Sequence, residues 1–420
     1  MSQKLSGWLA FLGLTLLFLS CGSSSSRPAG ELYVLSQGEN NVGYFAIDLN
    51  TGHLSLLNRT TKADVAPSQI LLDPTGKAAY VLNTSIDPLN TDPPSNNISA
   101  YTINGDGTFG DPTEVRVPGG GVVSMARDAA GTFLIVVSQG TIATGACQVH
   151  SGLGCAHPPT ITVYATASGS SNLTLAGTQV LNFVPTSVVT SITGTFNDPS
   201  TTPPTPVSGT LVQVTGNQDL VGTNDNTVSE FVVSSAGAVS GPLAGSPYTT
   251  QSAPSSVLSV TTTPTGGAGG TFVYVTNVTT NNLDIYQICT SVNGSSCSSD
   301  DIADAKMVHL AGAVSVDQSP LAMAADPTNS FLYVVNRDSS NLRAFRINQS
   351  TGVLSALNPS TVSTGLTPVA ISMHSTGKFL FVSNNAGSSV SAFNVDTTSG
   401  ALSNASIVTS TAQPAGLAAR

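Results

Sequence analysis

The chain alternates short runs of β-forming residues with polar stretches rich in Gly, Ser, Thr and Asn, and the runs recur in a fixed order seven times. The most regular cover positions 42–47, 98–101, 161–164, 228–231, 283–286, 342–345 and 390–393, each with an aromatic residue such as Phe45, Tyr101, Tyr164 or Phe393. A companion run precedes each one, at 32–34, 79–81, 134–136, 212–214, 273–275, 332–334 and 380–382. Runs of this length, rich in Val, Ile, Tyr and Phe, predict strands. A fixed repeat predicts stacked or radial units, none of which buries its apolar face without its neighbours.

A further strand is predicted upstream of the companion run, opened by Pro67, Pro185, Pro254, Pro320, Pro368 and Pro414 and, in the remaining repeat, by Val122. Six residues after the proline comes a turn residue, seen in Asp73-Pro74-Thr75-Gly76, Asp326-Pro327-Thr328-Asn329 and His374-Ser375-Thr376-Gly377. Asp accepts hydrogen bonds from its own turn, and Pro presets φ at the next position. Gly52, Gly107, Gly352 and Gly400 follow the aromatic run in short polar stretches, where a tight hairpin needs positive φ. A fourth strand is placed in the variable segment beyond them.

The last repeat reaches Pro414 and stops at Arg420, at the turn, whereas the first begins near Leu32 with its proline-led strand missing. The two partial repeats complement each other, so the final strand is expected to pair with the first and close a ring. The reading is all-β: a seven-bladed β-propeller of four-stranded antiparallel blades over residues 31–420, closed by pairing of the N- and C-terminal strands.

The phrases Tyr274-Val275-Thr276-Asn277, Tyr333-Val334-Val335-Asn336 and Phe381-Val382-Ser383-Asn384 resemble the YVTN-type propellers grouped with the seven-bladed lactonase family. The resemblance spans the chain from about Glu31 onward as a repeat pattern, and repeats three to five depart from it most. It implies the propeller fold and, as one possible activity, hydrolysis of a sugar lactone of the 6-phosphogluconolactonase-like type. The shared motifs build blades, so no catalytic residue carries over with them.

Charged residues are only 9% of the chain, the formal net charge is −10, and no Lys or Arg lies between Asp128 and Lys306. Without a basic stripe, nucleic acid is not expected as a partner. At the N-terminus, Lys4 precedes an apolar stretch at 8–19, too short to span a bilayer, followed by Ser20-Cys21-Gly22 and a Ser run. This resembles a bacterial lipoprotein signal: 1–20 removed, Cys21 lipidated and 21–30 left as a Ser-rich linker. The protein is then expected to be an exported monomer, held to the outer membrane by its lipid alone and facing periplasm or cell surface. An ordinary secretory signal with an incidental Cys is the alternative.

Four further cysteines form two pairs of equal spacing, Cys147 with Cys155 and Cys289 with Cys297. In an exported chain such pairs predict disulfides stapling inserted loops. The rival for the first pair is zinc, since His150 and His157 complete four possible ligands; the second pair has no histidine. Acidic loop residues Asp87 and Asp92, Asp219 and Asp225, and Asp300, Asp301 and Asp304 could hold calcium, but their spacings do not match an EF-hand, and solvated carboxylates are the default. No metal and no cofactor is expected.

The search for catalytic machinery returns little: no G-x-S-x-G elbow, no H-E-x-x-H helix and no phosphate-binding glycine loop. Arg127 and His374, at the ends of proline-led strands or their equivalent, are the weak candidates for a channel-side cation and base. His374 also fills the slot of a turn Asp, and Arg127 fits a satisfied arginine equally well. Glu230, Asp284, Arg343 and Arg346 lie in aromatic-bearing strands, away from the expected channel. The first expectation is therefore a cell-envelope propeller that binds or scaffolds a small-molecule, glycan or protein ligand, with little lactone hydrolysis. A lactonase-like hydrolase and an adhesive surface protein are the alternatives.

Overall fold

The structure is a computed structural model that describes residues 27–84, 96–140, 158–198, 204–219, 225–264, 269–290, 297, 301–302, 304–310 and 312–420. The leader 1–20, Cys21, Cys147, Cys155, His150 and His157 lie outside these residues. No helix among the described residues is long and apolar enough to cross a membrane.

Seven antiparallel sheets form the molecule, and blade 1 contains both ends of the chain. Its inner strand is Pro414–Ala419, which pairs with Gly30–Ser36 in the register Leu32 with Ala419, Tyr33 with Ala418 and Val34 with Leu417. The backbones of Glu31 and Arg420 exchange hydrogen bonds of 3.0 and 2.9 Å at the end of this ladder. The ring is closed as its partial repeats predict. The other inner strands are Pro67–Leu72, Val122–Arg127, Phe183–Asp198, Pro254–Thr261, Pro320–Ala325 and Pro368–Met373, opening blades 2 to 7 in chain order.

No single core holds the ring. Seven apolar clusters each bridge two neighbouring blades; Tyr33, Tyr44, Tyr101 and Phe109, for example, fill the seam between blades 1 and 2. This is how a chain of this length avoids an oversized interior. The second-strand tyrosines of blades 1, 2, 5 and 6 add a polar tie to their seams. Tyr33 donates to the carbonyl of Gly107 at 3.1 Å, Tyr274 to Gly352 at 2.8 Å and Tyr333 to Gly400 at 2.9 Å, each in the following blade. Gly352 has φ +68 and a Cβ there would meet the Phe272 ring at 2.3 Å, so the hairpin glycine serves both its turn and the blade behind it. The Asn that ends the YVTN-like phrase locks the next hairpin, as Asn277 does by donating to Asn282 and Asp284 at 3.0 Å.

Blades 4 and 5 are less regular than the repeat predicts. In blade 4 the inner strand continues to Asp198 and the second covers Thr205–Asp219, a long hairpin where only 185–190 and 212–214 are expected. The pairing shifts register between Thr190 and Thr193, after which the Thr and Ser alternation sustains it, with Thr193 and Thr210 hydroxyls 3.2 Å apart. Phe196 on this extension is buried in the seam toward blade 5. The outer position of both blades is filled by two short segments, Val239–Ser240 and Tyr248–Thr249 in one, Met307–His309 and Val314–Ser315 in the other. Cys289, buried after the third strand of blade 5, is disulfide-bonded to Cys297 with Cα atoms 5.6 Å apart.

The central channel as candidate functional site

The inner strands surround a central cavity of about 510 Å³. Its wall is built in tiers. Two positions after the residue that opens each strand stand Gln69, Ser124, Ser187 and Ser256 on blades 2 to 5, then Ala322, Ala370 and Gly416 on blades 6, 7 and 1. One position earlier, Ser68, Thr186 and Ser255 add hydroxyls, whereas Val123 on blade 3 and Leu321 and Val369 on blades 6 and 7 present apolar side chains. Among the described residues, no Asp, Glu, Lys, Arg or His lines the cavity.

Polar side chains also stitch five of the seven inner strands to the next. Gln69 grips Met125 with both ends of its amide: Nε2 donates to the carbonyl of Met125 and Oε1 accepts from its N–H, each at 2.8 Å. Ser124 Oγ accepts from the N–H of Val188, and Ser187 Oγ from that of Val257, both at 3.4 Å. Ser255 Oγ donates to the carbonyl of Pro320 at 2.9 Å, and Ser372 Oγ accepts from the N–H of Ala419 at 3.1 Å. Ser124, Ser187 and Ser372 thus each accept a hydrogen bond from a backbone N–H, which polarises the hydroxyl and makes it a better donor.

The mouth where the inner strands end holds the charged turn residues, and each is committed to the fold. Asp73 Oδ1 accepts from the N–H of Thr75 at 2.9 Å and from the Thr75 hydroxyl. Asp128 Oδ1 accepts from Phe133 N at 2.7 Å, and Asp326 accepts from the N–H groups of Thr328, Ser330 and Phe331. His374 occupies the equivalent place: its Nδ1 accepts from Thr376 N at 3.2 Å, and its ring packs edge-on against Phe379. Burial lowers its pKa, against a smaller opposing effect of the Arg420 backbone, so it is neutral near pH 7. With Nδ1 accepting, the neutral ring carries its proton on Nε2, which suits it poorly as a base there.

Arg127 turns away from the cavity into the seam between blades 2 and 3. Its Nη2 lies 3.3 Å from Asp73 Oδ2 and donates to the carbonyl of Gly131 at 2.7 Å, with the guanidinium over the Tyr80 ring at 5.4 Å. Arg420 donates to the carbonyl of Gly76 at 2.7 Å and stands 3.6 Å from Glu31, which also takes Arg27 and Tyr33. The structure therefore does not bring Arg127 and His374 together on a cavity wall.

The third-strand candidates are likewise remote. Glu230 is fully buried, and that burial raises its carboxyl to about 8 despite hydrogen bonds from Gln213 and Tyr248. Asp284 accepts from Gln251 N and Asn277 Nδ2 and lies 3.1 Å from His309 Nε2. Arg343 pairs with Asp317 at 3.4 Å, and Arg346 covers the Phe331 ring at 4.7 Å. Among the described residues, no cluster of three or more His, Cys, Asp or Glu could hold a metal ion. Sequence reasoning names the strands that line the cavity but misses the stitching; the signal is a Gln or Ser two residues after the opening residue in four consecutive repeats.

Seven blades around a channel lined in part by hydroxyls define a β-propeller with a central cavity. Residues 268–370 match the family described as lactonase, 7-bladed beta-propeller. No curated protein sequence matches the chain. Among solved structures it is similar to the periplasmic gluconolactonase of Pseudomonas aeruginosa, at 14% identity and TM-score 0.67, covering 92% of this chain and 98% of that one. A Bacteroides fragilis protein provisionally named 6-phosphogluconolactonase gives 14% identity and TM-score 0.62 over 93% and 98%, and a Lactobacillus plantarum protein 17% and 0.62 over 93% and 99%. The protein is a seven-bladed β-propeller, and the stretch similar to the lactonase family holds two of its three YVTN-like phrases. The solved structures show the fold; the family match over residues 268–370 sits better with the lactonase-like alternative than with the binding or scaffolding role expected first.

Proposed function

We propose that the protein acts on a neutral lactone held in the central channel. The observation that carries this reading is the pair of cavity-lining hydroxyls at Ser124 and Ser187, which accept backbone N–H groups and have their own protons left to donate. Ring opening of a lactone builds negative charge on the carbonyl oxygen, and fixed donors in a partly dry cavity stabilise that charge. The match to the lactonase family and the fold likeness to a gluconolactonase support the same substrate class. Since no ionisable group lines the wall among the described residues, the attacking water loses its proton to solvent rather than to a side chain.

This scheme makes a specific demand. Enzymatic turnover of glucono-δ-lactone, corrected for spontaneous opening, has no inflection between pH 5 and 8 and falls in Ser124→Ala and Ser187→Ala. A bell-shaped profile would assign the chemistry to a titrating group and overturn the scheme. The absence of wall acids and bases favours one second reading, a lactone-binding module without turnover. Saturable binding of glucono-δ-lactone with no rate above the spontaneous one would establish it.

A further inference from the structure

The cavity wall is two-sided. At the tier two residues into each inner strand, four consecutive blades carry a hydroxyl or amide and the three that complete the circle carry Ala322, Ala370 and Gly416. On the second arc Leu321 and Val369 are half-exposed toward the cavity and belong to none of the seven apolar clusters. Below them, Met323 and Ile371 continue the strip in a tier that is apolar on both arcs, with Ile70, Val188 and Val257, and both also pack against the seams of blade 6. The cavity-facing surface of Leu321 and Val369 has no such seam to cover it and is stabilised by a ligand that does.

We propose that the ligand is a neutral amphiphile: a hydroxylated ring set against the crescent formed by Gln69, Ser124, Ser187 and Ser256, with an alkyl substituent laid along Leu321, Val369, Met323 and Ile371. The inference rests on the lactone reading for the ring and goes beyond it in requiring the chain. An ionic headgroup is excluded by the same wall, because a phosphate or carboxylate there would be desolvated without a countercharge. With no Lys or Arg lining the cavity among the described residues, the wall suits a neutral sugar better than a phosphorylated one.

Alkyl β-D-glucosides from methyl to octyl, each below its micelle-forming concentration, test this by calorimetry on the purified protein. We expect one site per chain and an affinity that rises about threefold for each added methylene until the strip is covered. Leu321→Ser with Val369→Thr, which copies the residue types of blades 5 and 4 at the same position, should abolish the dependence on chain length, so that octyl glucoside binds no more tightly than methyl glucoside. Leu321→Arg should block the longer chains, and circular dichroism confirms folding of each variant. Equal affinity for methyl and octyl glucoside, or a gain with chain length that survives Leu321→Arg, overturns the proposal. Turnover of glucono-δ-lactone is measured separately. If it is absent while the chain-length series holds, the hydrolase reading fails and the amphiphile site stands; turnover with a flat series gives the converse.

Discussion

Arg127 and Asp73 belong to different blades, yet they meet at 3.3 Å in the seam between blades 2 and 3, both side chains almost fully covered. The pair closes a polar path from the turn of one blade to that of the next, with Gly169 N also donating to Asp73 Oδ2 at 3.3 Å. Burial alone would raise the Asp73 pKa; the Thr75 hydrogen bond, the backbone N–H groups of Gly169 and Lys77 and the Arg127 charge outweigh it and hold it low. A carboxylate lowered on folding contributes stability that is present above its unfolded pKa of about 3.9 and is lost as pH falls through the folded value. Asp73→Asn should therefore flatten the acid limb of a stability-versus-pH curve below about pH 4. Arg127→Met, which keeps an unbranched chain beside Tyr80 but removes the charge next to Asp73, should cost about 2 kcal/mol in urea denaturation at pH 7.

Glu230 gives the opposite slope. With its carboxyl raised to about 8 by burial, the folded state holds a proton that the unfolded chain releases near pH 4.3, so stability falls as pH rises from about 4.3 to 8. Glu230→Gln keeps an acceptor for Gln213 and has no proton to lose. Near pH 7.5 it should be more stable than the native protein by an amount on the order of 2 kcal/mol, with the difference vanishing below pH 4. Equal melting temperatures at both pH values would show that Glu230 is charged in the fold.

Removing residues 413–420 deletes the inner strand of blade 1 and exposes strand edges on either side of the gap. The truncated chain should melt at least about 10 °C lower or fail to purify folded. An unchanged melting temperature would mean that the ends do not hold the ring.

The Cys289–Cys297 bond should appear as a cross-linked peptide in mass spectrometry of unreduced protein. Because the loop it closes is short, Cys289→Ala with Cys297→Ala should lower stability by only about 2–3 kcal/mol, without loss of the fold. The same digest reports on the expected Cys147–Cys155 bond. Free thiols at that pair, protected on addition of zinc, would favour the metal-binding alternative.

Most of the architecture was legible because each blade restates it in residues that have one job. Tyr333 must reach Gly400, Asn336 must close its hairpin and Pro320 must open an inner strand, so the phrase returns wherever a blade returns. Blade 4 was harder to read because Thr and Ser fit a strand or a loop with almost equal ease, and only pairing decides between them. The placement of Arg127 was open for a different reason. Its strand ends at the channel mouth, but the Tyr80 ring and Asp73 draw the side chain into a seam, a contact between residues 54 positions apart that no local pattern encodes.

The grip of Gln69 on Met125 and the hydroxyl contacts that continue it around the channel use the same atoms that face a ligand. A change of recognition on that crescent also loosens a joint between blades, so the crescent is mutationally expensive. Leu321 and Val369 carry no such duty. Descendants of this chain that acquire a new ligand have their cheapest route on blades 6 and 7, and a directed-evolution library built there samples new specificities without dismantling the ring.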